Sequence, residues 1–357
     1  MFADNMESKS KTILDVARLA GVSKGTVDRV LHNRGEVSAK SAAKVRAAIE
    51  QLNYEPNLYA SLLASRRERA IACVMPRYTP GEYWEKIHLG AMAGSEDVSS
   101  MGIRITEYYY DQYNLASFRN ACNEVLEAAP AGVILPPLFK TETMSFVRQL
   151  KDRNIPYVYV DTRIEDENYL AYIGMPMYKS GYLCASLLTQ RFSREEVGKI
   201  AVIRIRRDKT GQSDPTASRR EGFMDYISEN YPDCEVDQVF ITPSDEEGTY
   251  STLKEYFISN PDIRHIVMFN SRVHLISRFL RDHRDEGWTV VGFDDLEKNI
   301  EMLKDGVLSI LIAQHTEKQS RDAVNILSDH IMVHKVPANR DNYVHMDILT
   351  ALNIENY

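Results

Sequence analysis

From residue 70 onward, short β-branched or aliphatic runs alternate with helical stretches, and the alternation passes through twice. The first pass has runs at 71–75, 103–109, 132–135 and 157–160. The second has them at 200–205, 235–241, 265–269, 289–293 and 308–312. Amphipathic segments such as 84–100, 118–129 and 144–153 separate the runs. Strand–helix alternation of this kind requires parallel sheets covered by helices on both faces. The pattern therefore predicts an α/β body of two lobes, each a parallel, Rossmann-like sheet. Ligands of open parallel sheets bind beyond the carboxyl ends of the strands, which places the expected site in the cleft between lobes.

The first seventy residues are different. Residues 13–20 read as a short helix capped by Thr12, with Asp15 near its positive end and Ile13, Val16, Ala17 and Ala20 on one face. Gly21 ends it. Val22 is expected as an apolar plug, and Ser23 as the cap of a second helix, 24–31, whose apolar side is Val27, Val30 and Leu31. Lys24, Gly25, Asp28 and Arg29 then face outward. A third helix is expected from Ser38 to Leu52, closing a small core with Val45, Ala48, Ile49 and Leu52. Two short helices joined through a glycine turn form a helix-turn-helix, whose second helix enters the major groove of DNA. Residues 53–57 have turn chemistry. The following 58–64 stretch has helical composition, but so short a helix is marginal alone and needs a partner to order it.

Charge is divided along the chain. Residues 1–69 carry 12 Lys+Arg against 8 Asp+Glu, and the remainder 31 against 43, so a basic head precedes an acidic body. That asymmetry orients a protein near phosphates. No apolar run approaches the ~20 residues of a membrane helix, and the polar start lacks a secretory core, so cytoplasmic residence is expected. Four widely spaced cysteines form no CxxC pair or disulfide framework, and Cys73, Cys122 and Cys184 sit in apolar runs as expected buried thiols. The chain has no GxGxxG after a strand, no GxxxxGK[ST], no HExxH and no GxSxG. His330 and His334 are spaced i, i+4 without a third ligand nearby, and Asp294-Asp295 lacks a nucleophile partner. Neither an enzyme, a cofactor nor a metal is expected.

Five motifs make the head recognisable: Thr12-Ile-Leu-Asp-Val-Ala, Ala20-Gly-Val-Ser, Thr26-Val-Asp-Arg-Val-Leu, Val37-Ser-Ala-Lys and Leu52-Asn-Tyr-Glu-Pro-Asn. Together they resemble the headpiece of the lactose-repressor (LacI) family. The body is similar to that family's sensor domain, which has the two-lobed periplasmic-binding-protein-like fold. The segments carrying this likeness are Val133-Ile-Leu-Pro-Pro, Ile155-Pro-Tyr-Val-Tyr-Val-Asp, Ser180-Gly-Tyr-Leu, Arg219-Arg-Glu-Gly-Phe and Val290-Val-Gly-Phe-Asp-Asp. The expected organisation is a helix-turn-helix domain at 1–55, a hinge helix and linker at 56–69, and an effector-binding and dimerisation domain at 70–357. Lobe crossovers are expected near 161–164, 292–296 and 313–316.

The resemblance implies roles position by position. Lys24, Gly25 and Arg29 fall where the family reads base edges, and Ser23, Thr26 and Asn33 where it holds phosphates. Asn57 belongs to the DNA-binding set, and in the hinge Ala60 and Leu63 match residues that enter the minor groove, with Leu63 as the wedge. Opposed hinges imply a homodimer on a palindromic operator. Asp28 departs from the family's serine, and an ion pair with Lys24 is expected instead of a base contact. For the effector, the resemblance implies Arg77, Trp84, Asp111, Asp161 and Arg163 in the first lobe, and Arg219, Asn270, Asp294 and Gln314 in the second. Such side chains pair with vicinal hydroxyls, and an aromatic face covers a sugar ring. Pro176 stands where the family often has a hydroxyl-binding aspartate, which raises a sugar acid or phosphosugar beside a neutral sugar. The expected function is a sugar-responsive repressor of a carbohydrate-utilisation operon. The alternatives are a solute receptor without operator binding and a sugar-modifying enzyme.

Overall fold

The computed structural model describes residues 12–31, 37–52, 54, 68–165, 168–190, 198–206 and 214–357. The chain divides into two compact units, Met1–Arg67 and Glu68–Tyr357.

In the first unit, α1 (Ile13–Ala20), α2 (Lys24–Leu31) and α3 (Ala39–Leu52) form where the apolar spacing predicts them. A reciprocal capping box starts α1: Thr12 Oγ1 accepts from the Asp15 amide, and the Thr12 amide donates to Asp15 Oδ2 at 2.9 Å. Gly21, at φ +61°, ends the helix in the left-handed conformation that a side chain disfavours. Ser23 Oγ accepts the Thr26 amide at 3.2 Å and Ser38 Oγ the Ser41 amide at 3.3 Å, so α2 and α3 are capped as well. Val16, Ala17, Ala20, Val27, Val45 and Ala48 are buried together, with Ile13, Val22, Val30, Leu31, Ile49 and Leu52 packed at their edge. Tyr54 joins this core, although its neighbours read as a turn. The expected hinge helix and the positions Asn33, Asn57, Ala60 and Leu63 lie outside the described residues.

The second unit contains two six-stranded sheets. The first takes β1 (Arg69–Pro76), β2 (Ile103–Tyr110), β3 (Gly132–Leu135), β4 (Tyr157–Asp161), β5 (Ala171–Gly174) and β11 (Asp341–Tyr343), in the order β2-β1-β3-β4-β5-β11. The second takes β6 (Lys199–Ile205), β7 (Glu235–Ile241), β8 (His265–Met268), β9 (Thr289–Phe293), β10 (Ile310–Ala313) and β12 (Asp347–Leu349), in the order β7-β6-β8-β9-β10-β12. The five leading strands of each sheet thus repeat one doubly wound order. All pairings are parallel except β10 with β12.

The intervening helices are α4 (Tyr83–Val98), α5 (Leu115–Ala128), α6 (Lys140–Asp152), α7 (Met177–Thr189), α8 (Ala217–Asn230), α9 (Glu246–Ser259), α10 (Ser277–Asp282), α11 (Glu297–Lys304) and α12 (Thr316–Val333). The nine apolar runs all became strands. Sequence reading passed over β5, β11 and β12 because they have only three or four residues, and the last two add edge strands with polar side chains.

The crossovers require a correction. The chain passes between lobes at Met175–Pro176, at Gln314–His315, within the expected 313–316, and once more between β11 and β12. Residues 161–164 instead join β4 to β5 inside the first sheet, and 292–296 join β9 to α11 inside the second. Both spans are polar because they end strands at the cleft, and that polarity resembles a linker in sequence.

Two glycines set the spacing of α7 and α8 in the second lobe. A Cβ on Gly181 would stand 1.7 Å from the Arg219 carbonyl oxygen, and one on Gly222 would stand 2.0 Å from that of Tyr178. The helix backbones touch there, and this contact fixes where Arg219 emerges. Gly181→Ala is therefore expected to cost about 3 kcal/mol or more, because backbone rather than a flexible side chain must move. Urea denaturation measures it, and a loss below about 1 kcal/mol would contradict the close approach.

Candidate functional site

In the second unit, a cavity of about 100 Å³ lies between the carboxyl ends of the two sheets. That is less than the roughly 150 Å³ cavity known to take a benzene ring, so a sugar ring needs the cleft wider than it is in this form.

Strand ends supply its polar groups. Asp161 closes β4 and Asp294 follows β9, both in the left-handed region at φ +66° and +69°. Aspartate tolerates that conformation better than most side chains. The two carboxylates are linked across the lobes. Tyr83, in the first turn of α4, donates its hydroxyl to Asp161 Oδ1 at 2.6 Å and accepts from Gln314 Nε2 at 3.2 Å. The same Gln314 nitrogen donates to Asp294 Oδ1 at 2.7 Å. Gln319 on α12 supports both ends, accepting the Asp161 amide at 3.0 Å and donating to the Gln314 carbonyl at 3.2 Å.

Arg219, in the first turn of α8, is 3% exposed. Its Nε donates to Ser180 Oγ at 3.0 Å and its Nη1 to the Phe269 carbonyl, while the guanidinium lies 3.9 Å over the Phe293 ring. It is the buried cation of a site with two buried acids. Burial pushes the Asp294 carboxyl up to about 7, against the pull of Arg219 and the Gln314 hydrogen bond. Burial likewise raises Asp161, opposed by the Tyr83 hydrogen bond and by Arg219. Trp84 and Phe269 contribute apolar surface, and Trp84 meets Tyr83 edge-on at 5.1 Å.

Two further links join the lobes at the cleft. Arg272 pairs with Glu82 at 3.2 Å and donates to the Tyr113 hydroxyl at 3.2 Å, and Lys86 pairs with Asp295 at 2.8 Å. On the second lobe, Asn299 Nδ2 donates to the carbonyls of Ser271, Phe293 and Asp294 and so holds the loop carrying Asp294.

Of the nine positions expected to meet an effector, Trp84, Asp161, Arg219, Asn270, Asp294 and Gln314 line this cavity. Arg77, Asp111 and Arg163 do not. Arg77 and Asp111 are exposed just after β1 and β2, and the loops turn so that Glu82, Gln112 and Tyr113 face the cavity instead. Arg163 pairs with Asp341 at 3.3 Å and borders a different space. Sequence reading missed Tyr83, Arg272 and Gln319. The first two stand within two residues of expected positions, while Gln319 shows no signal beyond being a polar residue on the buried side of a helix.

In the first unit, Ser23, Lys24, Gly25 and Arg29 are exposed on or beside α2, while Thr26 and Asp28 are half-buried. The Ser23 and Thr26 hydroxyls lie 3.0 Å apart at the helix start. Among the described residues Lys24 and Arg29 pair with no acid, so the expected Lys24–Asp28 pair is not formed, and a capped helix with two such cations on its outer face has the chemistry to meet phosphates and base edges. Among the described residues, no three His, Cys, Asp or Glu side chains gather as a metal site, and no helix is long and apolar enough to cross a membrane. Cys73, Cys122 and Cys184 are buried free thiols.

Residues 12–57 match the lacI family of bacterial regulatory proteins, and residues 71–335 match the periplasmic binding protein domain. The HTH-type transcriptional regulator CelR of Thermobifida fusca is 26% identical over 340 residues, 91% of this chain and 94% of that protein. A ribose operon repressor of Lactococcus lactis is 24% identical over 292 residues, 80% of this chain and 81% of that one. With RegA of Clostridium acetobutylicum identity reaches 31%, but the chain spans about half of that regulator's length (52%). A solved structure from Bacteroides fragilis, assigned as a LacI transcriptional regulator, is 32% identical with a TM-score of 0.76, covering 82% of this chain and 100% of that one.

Proposed function

Because the chain belongs to the lacI family of bacterial regulatory proteins, with a periplasmic binding protein domain as its body, we propose that it is a sequence-specific repressor of a carbohydrate-utilisation operon, controlled by a sugar or sugar derivative in the cleft. The observation that carries this reading is one chain holding both parts. A capped α2 keeps Lys24, Gly25 and Arg29 exposed in a head that matches the family, and the body closes a small cavity around three acids, two arginines and aromatic faces. Acids, amides and arginine are the groups that pair with vicinal hydroxyls. Two relatives' names support the reading, one a transcriptional regulator and the other the repressor of a ribose operon.

In the proposed mechanism Lys24, Gly25 and Arg29 read bases, while Ser23, Thr26, Asn33 and Asn57 hold the backbone. Ala60 and Leu63 enter the minor groove at the centre of a palindrome bound by a homodimer in the cytoplasm. Effector in the cleft sets the angle between lobes, and with it the spacing of the two 56–69 segments, so that operator affinity and effector affinity are linked.

Selection of the full-length protein against random duplexes tests the reading. A palindromic sequence is expected to emerge, bound with steep salt dependence. Arg29→Ala is expected to weaken it by about 1–3 kcal/mol and to relax preference at one base pair per half-site. If no sequence is enriched, the repressor reading is overturned.

A further inference from the structure

We propose that the effector carries an anionic group, a phosphate or a carboxylate, received by a second compartment of the cleft that Lys140 and Lys179 serve from opposite lobes. The inference rests on the cleft being the effector site and names the class of sugar it takes.

The second compartment measures about 890 Å³ and abuts the smaller cavity. Met177 and Pro215 line both spaces, and the boundary runs between chain neighbours, with Leu138 and Asp161 on the inner side and Pro137 and Thr162 on the outer. One of the two dividing side chains, Met177, is a flexible thioether. A substituent on a ring in the first cavity therefore has a direct way into the second.

The charges of the two spaces differ. In the inner cavity Arg219 faces Asp161 and Asp294, and Arg272 is paired with Glu82, so the cations there are already answered. The outer compartment is lined by Lys140, Arg163 and Lys179 against Glu165 and Asp214. Asp214 is held between Arg204, at 2.7 Å, and Arg220, and Arg163 is shared with Asp341. Among the described residues no carboxylate pairs with Lys140 or Lys179. Three helices also begin here: α6 with Lys140, α7 with Met177, and α8, whose Ser218 is in the lining. None has a side-chain cap, and α7 and α8 have no acid in the first turn. Glu142 stands in the first turn of α6 and Asp214 accepts the Thr216 amide at the start of α8, so the positive end of α7, beside Lys179, is the one that adds to the lysines.

Lys140 belongs to the first lobe and Lys179 to the second, so closing the cleft brings like charges together. An anion between them reverses that cost and favours the closed form, which is the differential affinity an effector needs to shift the lobes.

Calorimetry on the full-length protein tests this with glucose, galactose, mannose and fructose, the 6-phosphate of each, and glucuronic and galacturonic acids. At least one anionic derivative is expected to bind roughly tenfold or more tightly than its neutral parent. The advantage is expected to vanish in Lys140→Gln/Lys179→Gln, whose affinity for the neutral parent is not lowered because the repulsion that opposes closure is gone, and both sites are exposed so folding is not at issue. A phosphate preference without a uronate preference, or the reverse, identifies which anion is used. Parents binding as tightly as their anionic derivatives, or a preference that survives the double substitution, overturns the anionic compartment alone. No binding by any of these sugars overturns the sugar reading together with it.

Discussion

Arg219→Met is expected to lower the unfolding free energy by about 3–5 kcal/mol near pH 8, the range for a buried charge stripped of its counter-charge. Methionine keeps most of the volume over Phe293, so the loss isolates the guanidinium. Ser180 Oγ and the Phe269 carbonyl lose their donor, and Asp161 and Asp294 lose the cation that favours their ionised forms. The deficit is expected to narrow near pH 5, where Asp294 is already protonated in the folded protein and has no charge to leave stranded. Urea denaturation at the two pH values decides it. A deficit that is equal at both assigns Arg219 a packing role and removes it from the electrostatics of the site.

Asp294→Asn is expected to have the opposite sign. The folded carboxyl titrates at about 7, above its ordinary 3.8. The folded chain therefore keeps a proton that the unfolded chain releases. Stability from this group is fully present below pH ~4 and is lost progressively as pH rises to about 7. Asparagine has the same shape, carries no charge and accepts the left-handed backbone at φ +69°. The variant is expected to be more stable than the parent by about 2–4 kcal/mol near pH 8 and equal to it near pH 4. It is also expected to lose effector response, because a group that can offer two acceptors when ionised has become a fixed amide with one acceptor and one donor end. Stability given up for the sake of function in this way is common at binding sites. A variant whose advantage over the parent does not grow between pH 4 and 8 would show that Asp294 is not held in its protonated form.

Both predictions concern groups whose identity was legible in the chain. Asp161, Asp294, Asn270 and Gln314 each follow an aliphatic run, and a polar side chain at the carboxyl end of a parallel strand faces the cleft in any doubly wound sheet. Arg77, Asp111 and Arg163 satisfied the same rule and do not reach the cavity. Strand position tells which end of the sheet a residue occupies, but the loop path decides which of several consecutive side chains turns inward. For the first two, Glu82 and Tyr113 took that place a few residues later. The crossovers failed for a related reason, since a strand end at the cleft and a linker between lobes are both short polar breaks in an apolar run.

Local chemistry settled what depends on neighbours in sequence: the caps at Thr12, Ser23 and Ser38, the left-handed stop at Gly21, and the nine main strands. Each follows from hydrogen bonds or periodicity within a few residues. What lay beyond it was set by groups far apart in the chain that meet only after folding: Tyr83 between Asp161 and Gln314, Gln319 beneath them, the Gly181–Gly222 approach that sites Arg219, and the lysines facing one another across the lobes. A carboxylate's charge is written in the sequence, but whether it keeps that charge at pH 7 depends on burial and counter-charges that the tertiary structure brings to it.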